Sequence, residues 1–334
     1  MSVAFRAMAC HLPSQIMANE VLVQRFPEWT DEKIFKKTGI RSRFVVKDGV
    51  SALDLAEKAC LKLFAEQNFD PVAIDYLIFC TQSPEYALPP NSTLLQDRLA
   101  LSKSLGCFDF THGCSGYVYG LSLAAAVAAA GMAQNILLVT GETYSLHLNP
   151  EDKATLAIFG DGASATLLTA QSGPSAVSHC VFETDGSGAK YLFSPFGGVR
   201  GRLDGRVPLL PPEDADSTSG TLHMNGPAIF SYMLQTVPGL LERLFQKTQI
   251  HAEDVDFFVF HQANAYMLEH LRLKCKIPRE KFLVDLEDTG NTVSCSIPLA
   301  ISRALEKGTV RSGQLLALAG FGVGLSSAAC CLRL

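Results

Sequence analysis

Two stretches of this 334-residue chain share one grammar: AIDYLIFCTQS (73–83) and DVDFFVFHQAN (254–264). Each passes from an acidic residue through a solid apolar run into polar residues, and each follows a helix-like stretch, LAEKACLKLFAEQ and LLERLFQKTQ. Short unbroken apolar runs between helical periods are strands covered on both faces, which predicts an α/β protein with a mostly parallel sheet. The parallel continues downstream. FDF (108–110), a loop and a helix ending at Gly131 match VDL (284–286), a loop and a helix ending at Gly308, and ASATLL (163–168) matches SSAACCL (326–332). A repeat this long is not a solenoid period. It reads as two homologous halves, 1–172 and 173–334, separated in composition only by the Gly-, Pro- and Asp-dense stretch 194–220, either a lid or a plain connection.

Composition removes several function classes. With 28 Lys+Arg against 33 Asp+Glu and a net charge of −5, the chain has no basic run for nucleic acid or an anionic membrane. Its ten cysteines form no CxxC pair and no zinc-spaced Cys/His cluster. That is the usage of a reducing cytoplasm and implies no metal. No signal-peptide h-region opens the sequence. Tyr117 to Gly141 is uncharged, yet Gly131, Gln134 and Asn135 divide it into an Ala-rich helix and the strand ILLVT (136–140), a buried pair rather than a membrane span.

Three residues stand where chemistry is expected. Cys114, in FDFTHGCSGYVYG, lies between a strand and the Ala-rich helix, where free N–H groups and the helix dipole favour a thiolate. His261 ends the apolar strand VDFFVF, and ligands of α/β sheets bind at the carboxyl ends of parallel strands. Asn291 sits in EDTGNTVSCSIP, the second half's counterpart of the Cys114 loop. Each alone has an ordinary reading, as core filler, structural histidine or turn. The repeat brings them to a common pseudo-twofold centre, where Cys, His and Asn suggest nucleophilic acyl chemistry. Papain-type proteases combine the same residue types, but their signature near the mature N-terminus is missing here.

The segments KKTGIRSRF (36–44), GCSGYVYGLSLA (113–124), IFGDGASATLL (158–168), MNGPAIF (224–230), HQAN (261–264), GNTVSCSIPLA (290–300) and GFGVGLSSA (320–328) together resemble the thiolase-fold condensing enzymes, most closely the β-ketoacyl-acyl-carrier-protein synthase III family. The resemblance implies a five-layered αβαβα sandwich, a homodimer, acyl carrier protein as partner, and acyl and malonyl thioesters as substrates without a cofactor. It implies that Cys114 takes the acyl group, and that His261 and Asn291 serve decarboxylation of a malonyl thioester and attack of the resulting carbanion. Two neutral donors suit that enolate, because a permanent charge would trap it. The backbone N–H groups of Cys114 and Val323 would form a second oxyanion hole, Leu88 and Phe321 would line the acyl pocket, and Asp161 would bond nearby amides.

Departures from the family pattern bear on substrate. Members that use acetyl-CoA stack its adenine between a tryptophan and an arginine, positions filled here by Lys33 and Lys37, with Lys153 for a further arginine. Lysine is a point charge and cannot stack, which leaves contacts to phosphates. The arginine that grips the carrier after HQAN is Tyr266. Arg272, Lys274 and Lys276 remain either as an anionic-partner patch or as a solvated face. Leu88 replaces a phenylalanine and would admit a longer or branched primer. Two other functions stay open: transfer of the acyl group to a hydroxyl or amine, with Glu85 as a base, and a non-catalytic partner subunit, which would be expected to lose the Cys, His and Asn that this chain keeps.

Overall fold

The computed structural model describes residues 1–195, 198–199 and 221–334. Apart from its ends, the lid expected at 194–220 lies outside them. In chain order the first half comprises β1 (Ser2–His11), β2 (Gln15–Ala18), α1 (Asn19–Arg25), α2 (Asp31–Thr38), β3 (Ser42–Val45), α3 (Ala52–Gln67), β4 (Tyr76–Cys80), α4 (Asn91–Arg98), β5 (Gly106–Phe110), α5 (Gly116–Ala129), β6 (Asn135–Glu142), α6 (Lys153–Leu156) and β7 (Gly162–Gln171). The second comprises β8 (Val181–Thr184), β9 (Leu192–Phe193), β10 (His223–Met224), α7 (Gly226–Thr248), β11 (Phe257–Phe260), α8 (Ala265–Lys274), β12 (Phe282–Leu283), α9 (Ser296–Glu306), β13 (Leu315–Gly322) and β14 (Ser326–Arg333).

The repeat is visible in the sheets. One has the order β1-β7-β6-β4-β5, and the other, from its opposite edge, β8-β14-β13-β11-β12. Both are more mixed than the apolar runs suggest: β6, β4 and β5 are parallel, as are β13, β11 and β12, while β7 and β14 each run antiparallel to both of their neighbours. The apolar runs report burial of both faces and do not report direction. VDL (284–286) is also not the expected strand. β12 ends at Leu283 because the Asp285 N–H bonds the Gln262 side chain at 2.8 Å and the chain leaves the ladder.

Five layers follow from the packing. α3 and α4 cover the outer face of the first sheet, α7 covers the second with α8 packed against it, and α5 and α9 lie between the sheets, touching strands of both. This explains the uncharged stretch at 117–141. An uncharged helix suits a layer covered on two sides, and α5 buries Tyr117, Val118, Leu121, Ala124 and Ala128 among residues from both halves. Among the described residues no helix is long and apolar enough to cross a membrane. A Ser51–Asp54 capping box starts α3, Asn225 caps α7 with Pro227 in its first turn, and Asn264 caps α8.

Leu138, wholly buried on β6, faces this central layer. Leu138→Ala is expected to lose about 2–5 kcal/mol in urea unfolding. Val72→Ala, at an exposed side chain, is expected to stay within about 0.5 kcal/mol of the parent.

Candidate active site

The carboxyl ends of β4, β5, β6, β11 and β13 converge, and loops leaving them bring the predicted residues together. Cys114 lies in the loop between β5 and α5 and is 7% exposed. The end of β13 comes so near that a Cβ on Gly322 would stand 2.7 Å from the Cys114 sulfur, which only glycine avoids. Ser115 beside it bonds Ser326 of the other half at 3.1 Å. The thiol itself departs from expectation. Burial pushes it up to about 12, and the hydrogen bonds from the backbone of Val323 and of Cys114 recover only part of that. In the resting protein desolvation outweighs the helix terminus, so Cys114 holds its proton.

His261, the first residue after β11, is 1% exposed. Burial lowers its pKa to about 3, against the pull of a backbone hydrogen bond at Val293, so the imidazole is neutral. Its Nδ1 lies 2.7 Å from the Ser296 hydroxyl oxygen, which also accepts the Gln262 N–H at 3.3 Å. The rest of the HQAN motif is structural. The Gln262 side chain donates to Phe260 and accepts from Asp285, and Asn264 caps α8.

Asn291 follows Gly290, whose φ of +67° makes the turn and whose missing Cβ leaves room for the Ile158 carbonyl. Its backbone pairs with the 158–160 segment of the first half. The side-chain carbonyl is occupied by Val293 N–H at 2.9 Å, which leaves the Nδ2 amide as the donor on offer. Asp161 accepts from Val46 N–H at 2.8 Å and Ser145 N–H at 2.9 Å, the amide-binding role expected of it.

Cys114, His261, Asn291 and Phe321 line one cavity of about 400 Å³, whose other walls include Leu192, Met224, Phe230, Met233 and Met267. Lys37 and Tyr266 also border it. A smaller space of about 220 Å³ shares Lys37, Ile158 and Asn264 with it and adds Lys33 and Trp29. Trp29 belongs to none of the motifs that mark the sequence, yet its ring borders this space beside the lysines, with Lys37 Nζ 6.0 Å and Lys153 Nζ 5.6 Å from its centroid.

Other expectations separate from the site. Leu88 is 81% exposed and is absent from the cavity wall, since the loop after β4 projects away from the chain's own pocket. Arg272 is taken up by Glu269 and the Ile277 carbonyl, and Lys153 by Glu28. Lys274 and Lys276 border a different groove at the far end of α8. Ser296 and the buried Glu142 were missed as well, for a hydroxyl or carboxyl carries no sequence signal of what it touches.

Residues 245–334 match the family description 3-oxoacyl-[acyl-carrier-protein (ACP)] synthase III C terminal, and residues 108–186 match 3-oxoacyl-[acyl-carrier-protein (ACP)] synthase III. A β-ketoacyl-[acyl-carrier-protein] synthase III of Clostridium perfringens is 31% identical over 97% of each chain. The chain belongs to the β-ketoacyl-acyl-carrier-protein synthase III family. A crystal structure of a 3-oxoacyl-(acyl-carrier-protein) synthase III superposes with a TM-score of 0.93 at 41% identity, covering all of both chains. The priming β-ketosynthase of the R1128 polyketide pathway superposes at 0.89 with 26% identity, over 100% of this chain and 97% of that one. Synthase III enzymes are condensing acyltransferases, and so is this one.

A thiol titrating near 12 predicts that Cys114 alkylation by iodoacetamide, followed by peptide mass, rises about tenfold per pH unit between pH 6 and 8. A plateau in that interval would contradict a protonated resting thiol.

Proposed function

We propose that the chain is a β-ketoacyl-acyl-carrier-protein synthase III acting through Cys114, His261 and Asn291, with 1–172 supplying the nucleophile and 173–334 the two donors. The observation that carries this reading is that the three, from three separate loops, line a single apolar cavity. In the first half-reaction the Cys114 sulfur attacks an acyl thioester and the carrier thiol leaves with the proton that Cys114 gave up. The tetrahedral oxyanion rests on the N–H groups of Cys114 and Val323, the same groups that approach the sulfur in the resting state. A thiol without standing charge suits a site that must first admit an apolar acyl chain.

In the second half-reaction a malonyl thioester loses CO₂, and the enolate oxygen accepts from His261 Nε2–H and Asn291 Nδ2–H. The carbanion then bonds to the acyl carbon, the carbon–sulfur bond breaks, and Cys114 is released to take up a proton. The step uses the imidazole tautomer with its proton on Nε2, in which Nδ1 accepts from the Ser296 hydroxyl 2.7 Å away. A neutral histidine is what this step requires, and burial supplies it.

Acyl carrier protein is the natural donor or acceptor, with Trp29, Lys33 and Lys37 beside the cavity mouth for the carrier's phosphate-bearing arm or for coenzyme A. A cytoplasmic homodimer fits the remaining features. All ten cysteines are free. β5 is an edge strand whose five residues are all half-buried, and an aromatic run through Tyr76, Phe108, Phe110, His112, Tyr119 and Phe182 continues from it, as suits an edge that pairs with a second copy.

Intact mass after incubation with acyl-CoA and acyl-carrier thioesters of different lengths tests the first step. The expected adduct disappears in Cys114→Ala, and its absence with every donor in the folded wild type would overturn the reading. His261→Ala and Asn291→Ala are expected to acylate while losing about 10²–10³ in malonyl decarboxylation. Ser296→Ala is expected to lose about tenfold in the same step. An acyl-enzyme that ignores malonyl-carrier but is discharged by a hydroxyl or amine would favour simple transfer instead.

A further inference from the structure

Glu142 ends β6 in the middle of the first sheet, wholly buried, and takes no part in either half-reaction described above. Groups from two distant stretches converge on its carboxyl. Gln82 N–H donates to Oε2 at 3.0 Å, and the Ser83 hydroxyl lies 3.3 Å from the same oxygen. The Ser294 hydroxyl donates to Oε1 at 2.7 Å. Gln82 and Ser83 belong to the loop leaving β4, and the Gln82 side-chain oxygen packs on Gly113, the residue before the nucleophile. Ser294 belongs to the single turn Val293–Cys295, between Asn291 and the Ser296 that holds His261. A forked, buried acceptor thus grips the nucleophile's side with one oxygen and the donors' side with the other.

We propose that Glu142 is a positioning residue that ties the turn carrying Asn291 and Ser296 to the Cys114 loop, setting the reach between enolate and acyl-cysteine. The proposal rests on the reading of the site given above.

Its charge state supplies a signature that mere structural support would not. Burial pushes the Glu142 carboxyl up to about 8, against the hydrogen bonds from Ser294, Gln82 and Ser83. The ionisable groups that feel it or face it are Cys80 on β4, Cys114 in its loop, Tyr144 after β6, Cys295 on the single turn and Asp161 in the glycine loop, and none of these brings a positive charge. At neutral pH the carboxyl holds its proton. Above about 8 it ionises, and its negative charge pushes the Cys114 thiol further up. Self-acylation in the wild type should therefore gain less per pH unit above 8 than below it.

The test uses the full-length wild type, Glu142→Gln, Glu142→Leu and Ser294→Ala. It reads Cys114 acylation by intact mass and CO₂ release from a malonyl thioester by the acylated protein. Glu142→Leu loses both grips and is expected to decarboxylate about tenfold or more slowly, with an unchanged KM for the acyl donor. Glu142→Gln keeps a neutral acceptor, so it is expected to stay within about threefold of wild type at pH 7 and to lose the bend above pH 8. Ser294→Ala removes one grip without a new volume. It is expected to slow decarboxylation while acylation persists, and it decides the matter if the leucine variant does not fold. Undiminished decarboxylation in Ser294→Ala or Glu142→Leu, a glutamine variant as impaired as the leucine one, or a bend retained in Glu142→Gln would each overturn the proposal. A wild type that forms no Cys114 adduct would instead overturn the reading of the site.

Discussion

The structure depends on burying two helices, α5 and α9, between two sheets. Neither could be stable alone in water with so much apolar surface, and each finds cover only when both halves are present. Each of these helices begins just after a loop of the site: α5 after Cys114, and α9 after the turn that follows Asn291. The packing that stabilises the core therefore also sets where Cys114 and Asn291 stand. A displacement of either helix would displace the candidate site, and close-packed interiors allow little of it.

The same burial decides the electrostatics of the site. It raises the Cys114 thiol and the Glu142 carboxyl, lowers the His261 imidazole, and so leaves all three uncharged near neutral pH. A dry, neutral resting site suits a reaction whose charges appear only in transition, first on a tetrahedral oxygen and then on an enolate. Fixed donors in such surroundings act more strongly than in water and need not reorganise. The helix terminus near Cys114, which by itself argues for a standing thiolate, is a smaller effect than desolvation here.

Much of the arrangement was legible in the chain. The repeated strand-and-loop grammar foretold two matching sheets, and the apolar stretch at 117–141 foretold a largely buried helix followed by a buried strand. Cys114, His261 and Asn291 could be singled out because each sits in a polar or glycine-flanked loop downstream of an apolar run, a pattern that local residue order carries. Strand direction was not legible, since a strand covered on both faces looks alike whichever way its neighbour runs. Nor was the placement of Trp29, because the ring belongs to no motif and meets Lys37 and Lys153 only through the fold. The exposure of Leu88 was not legible either, since only the fold places that loop at the surface.

What the sequence by itself determined is the class of fold and the choice of candidate site residues, because periodicity, glycine placement and residue chemistry are local properties. Only the tertiary structure decided their states and their supports. The thiol's proton, the neutral imidazole, the hydroxyl of Ser296 on Nδ1 and the grip of Glu142 on two loops all arise from burial and from contacts between residues far apart in the chain. Desolvation and through-space hydrogen bonds exist only once the halves have closed on each other.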